Sequence, residues 1–127
     1  MKYNVGNWIK DGGQYFQIEE ICKLSTESLN QNIGARYNNG GFWCELVYLE
    51  PIQLTEDILL KCGFEKDVSE KTYYTNIPNE FHIRIEEKVF WVYFDEQPKH
   101  PITCLFNLHE LQNLFYALCG NEIKISL

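Results

Sequence analysis

Three residues near the C-terminal end have the side chains and spacing that a metal or a thiol nucleophile would use: His100, Cys104 and His109. A tetrahedral structural zinc takes four ligands in close pairs, and a catalytic one takes three plus water. Here the spacings are four and five residues, across an extended segment and the start of a helix. With no CxxC pair to complete a set, the pattern argues against a metal and no cofactor is expected. The same residues would make a Cys/His nucleophile pair only if Cys104 met His100 or His109 in an electropositive pocket, and Lys99 is the one cation nearby. A buried thiol beside two exposed histidines is the expectation.

Carboxylates also come in pairs: Glu19-Glu20, Glu56-Asp57, Glu86-Glu87 and Asp95-Glu96. Glycosidase-type hydrolysis needs two carboxyl groups facing each other across a cleft. Neighbours on a strand point to opposite faces, and Glu56-Asp57 suit the positive end of a helix. These pairs read as solvated charge. No GxSxG, HExxH, Walker A or GxGxxG pattern occurs. The expectation is a protein that binds rather than catalyses.

What would bind is then a matter of charge and rings. The chain has 18 acidic residues against 11 Lys and Arg, a formal charge of −7, and its basic residues form no run. Duplex nucleic acid calls for a basic face, so it is not an expected partner. Arg36 and Arg84 remain as centres for a small anion. Aromatic residues make up 15% of the chain, more than a core of this size absorbs. Tyr and Trp serve interfaces and stack on flat ligands. Candidate ligand contacts are Arg36, Tyr37, Trp43, Arg84, Trp91 and Tyr116, rings for a base and guanidinium for a phosphate. The expected partner is a nucleotide-like small molecule or another protein, with self-association framing the pocket.

The elements that must position these residues follow from pattern. At 127 residues the chain fits one domain, 1–127. Asp11-Gly12-Gly13 between strand-like runs at 7–10 and 14–22 predicts a tight hairpin. Residues 23–41 are polar and Asn-rich and read as a loop, with a short strand over Ile33–Tyr37 and another over Phe42–Leu49. Thr55 caps a short helix that begins with Glu56 and Asp57 and closes at Cys62-Gly63, with Leu54 and Leu59 placed for a hydrophobic staple. Strands are predicted over Lys71–Thr75, Phe81–Glu86 and Val89–Phe94. In the second, Phe81, Ile83 and Ile85 face one way and His82, Arg84 and Glu86 the other. Val89–Phe94 is apolar on both faces and therefore central. Leu108–Cys119 is an amphipathic helix with Asn107 and Glu110 as a capping box and Gly120 as its stop; His109, Gln112, Asn113 and Tyr116 fall on its polar face. Asn121–Ser126 would add an edge strand.

The fold class is therefore α+β: an N-terminal bent antiparallel sheet or SH3-like half-barrel, a short helix, a three-stranded antiparallel meander and a C-terminal amphipathic helix. Five cysteines, Cys22, Cys44, Cys62, Cys104 and Cys119, sit among apolar neighbours and read as reduced core thiols. With no signal-peptide pattern at Met1–Ile9 and no span of about 20 apolar residues, the expected location is the cytoplasm.

Three blocks also resemble a known group. The tail HELQNLFYALCGNEI (109–123), the run PIQLTEDILLKCGFEK (51–66) and the opening Gly6-Asn7-Trp8-Ile9 look like a family of small uncharacterised proteins of gut anaerobic bacteria, their prophages and their phages. The usual tail there reads like HQLQNLYFALTGEEL, from which Glu110 and Cys119 depart. The blocks cover about a third of the chain and coincide with the two capped helices and the first hairpin. The resemblance implies a mobile-element setting and carries no catalytic residues. In that setting a protein partner would be a host protein, and the expected role is an accessory protein that blunts host antiviral defence by sequestering a small nucleotide signal, or else a protein–protein interaction module of the mobile element.

Overall fold

A glycine pair sets the first reversal of the chain. Gly12 and Gly13 have φ of 57° and 82°, the left-handed pair that a two-residue type I′ hairpin requires. It joins β1 (Trp8–Asp11) to β2 (Gln14–Lys23), and Asp11 lies opposite Gln14 at the turn. The computed structural model describes residues 3–23, 33–37, 43–45, 48–68, 73–76, 81–94 and 100–127. Its contacts divide into two compact units, Met1–Ile52 and Gln53–Leu127.

In the first unit β2 is long enough to serve two partners. Its first residues pair with β1, and Ile18 to Lys23 pair with β3 (Ile33–Tyr37), with a bulge between Ile18 and Glu20. A bulge raises local twist and bends the strand, giving the strongly bent sheet expected of this sequence. β4 (Trp43–Glu45) flanks β3, and β5 (Glu50–Pro51) flanks β1, so the order is β4-β3-β2-β1-β5. Of the expected strand Phe42–Leu49, Trp43–Glu45 is β4, and Phe42, Leu46 and Val47 lie outside the described residues. Ile9, Ile18, Ala35 and Leu49 form its core with Tyr3, and Phe16, Ile21, Tyr37 and Cys44 pack against it.

The second unit opens with α1 (Glu56–Lys61). Thr55 accepts from the Ile58 amide at 3.2 Å, Glu56 and Asp57 occupy the positive first turn, and Gly63 takes φ of 84° just past the end. Both staple residues, Leu54 and Leu59, are buried. β6 (Glu65–Lys66), β7 (Tyr73–Asn76), β8 (Phe81–Glu86), β9 (Val89–Phe94) and β10 (Thr103–Leu105) then form an antiparallel meander in the order β10-β9-β8-β7-β6. The predicted three strands are its centre. β6 and β10 add the edges, and at two and three residues they are too short to show a period.

α2 (Leu108–Cys119) has the predicted bounds. Glu110 accepts from the Asn107 amide at 2.9 Å, and the Gly120 amide, at φ of 73°, donates to Tyr116. Phe115 packs on Phe81 at 5.3 Å between ring centroids, and Phe81 on Phe64 at 5.9 Å. Burying each such ring contributes about 1.5–3 kcal/mol. α2 thus covers the face bearing Phe81, Ile83 and Val92, all fully buried.

Two expectations change. Asn121–Ser126 is not a strand; the Ser126 amide instead donates to the Lys61 carbonyl at the end of α1. Cys62 alone is a fully buried thiol: Cys22 is exposed, and Cys44, Cys104 and Cys119 are half-buried. All five are free. Most of residues 23–41, including Asn38 to Gly41, lie outside the described residues, as do Lys71 and Thr72. Among the described residues, no helix is long and apolar enough to cross a membrane.

Candidate functional site

The strict alternation of β8 buries Phe81 and Ile83 beneath α2 and leaves His82, Arg84 and Glu86 on the other face. Register then decides their neighbours, because directly opposed residues share a face. His82 lies opposite Tyr93 of β9 and Thr75 of β7, and Thr75 lies opposite Glu65 of β6. One step along, Arg84 lies opposite Trp91 of β9, and Trp91 opposite Cys104 of β10. Two polar–aromatic rows therefore cross the sheet side by side. Strands are about 4.8 Å apart and same-face residues about 6.6 Å apart along a strand. His82, Arg84, Trp91 and Tyr93 thus mark a patch with two nitrogen bases on one edge and two rings on the other.

All four are half-buried. The Arg84 side chain is 35% exposed while its Nε is enclosed. Glu86 stands 4.0 Å from Arg84 Nη1, a separation worth little between groups this exposed. Beyond Trp91 the surface turns apolar. Ile102 and Phe106, two residues to either side of Cys104, are 52% and 55% exposed.

The first unit treats its candidates differently. Arg36 faces Glu20 across β2 and β3 and forms an ion pair with it. The Tyr37 hydroxyl donates to the Asp11 carboxylate, and its ring lies 5.1 Å from Phe16. Burial, then the Asp11 hydrogen bond and charge, push the Tyr37 phenol well above its ordinary range. Both side chains are committed within the sheet. Trp43 lies opposite Arg36 in the backbone pairing, and its side chain lies outside the described residues. Tyr116 is 57% exposed on α2, the helix on the opposite side of the sheet from Arg84 and Trp91. Of the six residues singled out by type, Arg84 and Trp91 are brought together in the second unit and Arg36, Tyr37 and Trp43 neighbour one another in the first.

His82 and Tyr93 complete the patch and were not among those six. The alternation places His82 beside Arg84, but only the β8–β9 register shows which rings stand across from them.

The metal and thiol readings meet the same geometry. Cys104 shares a face with Trp91, whereas His109 belongs to α2 on the other side. His109 is buried, not exposed on a polar face as expected, because the first turn of α2 is enclosed there; burial lowers its pKa, with the neighbouring Glu110 acting in the opposite sense. His100 is exposed. Among the described residues no three His, Cys, Asp or Glu side chains converge as metal ligands. No protein-family model, curated protein or solved structure matches the chain.

Proposed function

We propose that this chain is a binding protein, not a catalyst, and that the Arg84–Trp91 patch holds a small nucleotide-like anion. One observation carries the reading: Arg84, its side chain 35% exposed, stands directly across the sheet from Trp91, with His82 and Tyr93 as the next pair along. A phosphate suits the guanidinium, and charge-assisted hydrogen bonds are worth about 1.5–3 kcal/mol each. A base or other flat ring suits Trp91 or Tyr93, where stacking is worth about 1–3 kcal/mol. After the cost of association, such a set supports affinity of about micromolar strength. Together with the resemblance to phage and prophage proteins, this points to a protein acting in the host cytoplasm that sequesters a nucleotide signal of antiviral defence.

Calorimetric titration with ADP-ribose and with cyclic dinucleotides tests it. Saturable heat that Arg84→Ala and Trp91→Ala each weaken by about tenfold or more supports the site. Silence across the panel with folded protein ends it.

A second reading has its own observation. Ile102 and Phe106 expose large apolar side chains beside β10, which suits a protein–protein or self-association surface. Sedimentation of the pure protein, with and without Phe106→Ser, separates it from the first: a concentration-dependent oligomer lost in the variant favours this surface.

A further inference from the structure

We propose, resting on the ligand site above, that Lys88 is a second cation of that site and that the β8–β9 turn is held in a strained form to present it. Glu86 and Val89 are the last opposed pair of the two strands, so Glu87 and Lys88 alone make the reversal. Their φ of 50° and 66° are left-handed at both positions. A turn of this shape favours Asn-Gly, because those residues enter the left-handed region most cheaply. Glutamate and lysine enter it at a cost in stability.

No contact among the described residues offsets that cost. Both side chains are exposed, and among the described residues neither makes a hydrogen bond or an ion pair. Solubility does not account for the choice, since Asn-Gly is polar as well and a solvated charge needs no particular φ. Strain kept without a contact to offset it points to a task outside the folded chain. The place of the turn says which task. It closes the same two strands that carry Arg84 and Trp91, whose row lies one same-face step, about 6.6 Å, before the Glu86–Val89 pair. The flexible four-carbon stem of a lysine spans the rest of the gap. A ligand with its ring on Trp91 and two linked phosphates then meets Arg84 with one and Lys88 with the other. The class selected is a nucleoside diphosphate over a nucleotide with a single phosphate. Glu87 has the wrong sign for an anion, so the role falls to Lys88.

Calorimetric titration with ADP-ribose and with AMP, alongside thermal unfolding, tests this. The wild type is expected to bind ADP-ribose about fivefold tighter than AMP. Lys88→Asn removes that margin and at the same time raises the melting temperature by about 2 °C. Lys88→Gly does the same if the Asn variant folds poorly. Lys88→Arg, which keeps the charge, restores most of the margin, and Glu87→Asn raises the melting temperature with the margin still in place. No margin in the wild type overturns the role of Lys88 and leaves the Arg84 site standing. So does a margin that survives Lys88→Asn, or a melting temperature that falls in that variant. No binding of either nucleotide overturns both.

Discussion

The hydroxyl of Tyr74, a fully buried residue of β7, donates to the carboxylate of Glu56 on the first turn of α1. Lys66 stands 3.8 Å from the same carboxylate oxygen and 5.9 Å above the Tyr74 ring. A side chain chosen by its position on a helix turn thereby also fastens that helix to the sheet. Glu56 offsets the helix dipole and receives the phenol with the same group.

Tyr74→Phe removes the hydroxyl and keeps the ring in place, and a loss of about 1 kcal/mol of unfolding free energy is expected at neutral pH. Burial, with Glu56 adding to it, pushes the Tyr74 phenol up to about 12 from an ordinary 10. Below about pH 10 the phenol is protonated folded or unfolded and the contribution is complete. As pH rises from about 10 to about 12 the unfolded chain sheds the proton and the folded one keeps it, so stability is lost across that window. Urea midpoints between pH 9 and pH 12 check this; the fall is shallower in Tyr74→Phe.

His109 gives the opposite limb. Its folded pKa is lowered by burial, so above about pH 6.5 it is neutral in both states and contributes no pH dependence. As pH drops below about 6.5 the unfolded chain binds a proton that the folded chain refuses, and stability falls by at most about 1.4 kcal/mol per pH unit until the folded pKa is reached. His109→Gln flattens the urea midpoint between pH 6.5 and pH 5. A slope unchanged in this variant would assign the acid limb elsewhere.

The β8–β9 turn is built from Glu87 and Lys88 at φ of 50° and 66°. Both are left-handed conformations that side chains enter at a cost of about 1–3 kcal/mol each. Replacing them with Asn and Gly, the residues that a type I′ turn favours, is expected to raise stability by about 1 kcal/mol. Thermal unfolding of Glu87→Asn combined with Lys88→Gly reads it directly. A lower melting temperature would mean the present pair makes contacts that outweigh its strain.

Local chemistry made much of the fold legible. Thr55, Glu56 and Gly63 bound α1, and Asn107, Glu110 and Gly120 bound α2, because capping acts between residues a few positions apart. Gly12 and Gly13 fix the first hairpin in the same way. β8 and β9 announce themselves by alternation and by an apolar run, but β6 and β10 do not, since two or three residues hold no period. The burial of His109 escapes the helical pattern for a related reason. Helical phase puts it beside Asn113 and Tyr116, and only the surroundings of the first turn bury it.

The capped helices, the central strands, the acidic balance and the alternation that puts His82 and Arg84 on one face are all written in the order of the residues. Each depends on interactions spanning a few residues, or on composition, and so survives without a partner. Tertiary structure alone decided that Arg84 meets Trp91, that Tyr37 gives its hydroxyl to Asp11, and that Cys104 and His109 lie on opposite sides of one sheet. Strand register fixes those neighbours, and register is settled by which faces can be buried together, a condition that no single segment carries.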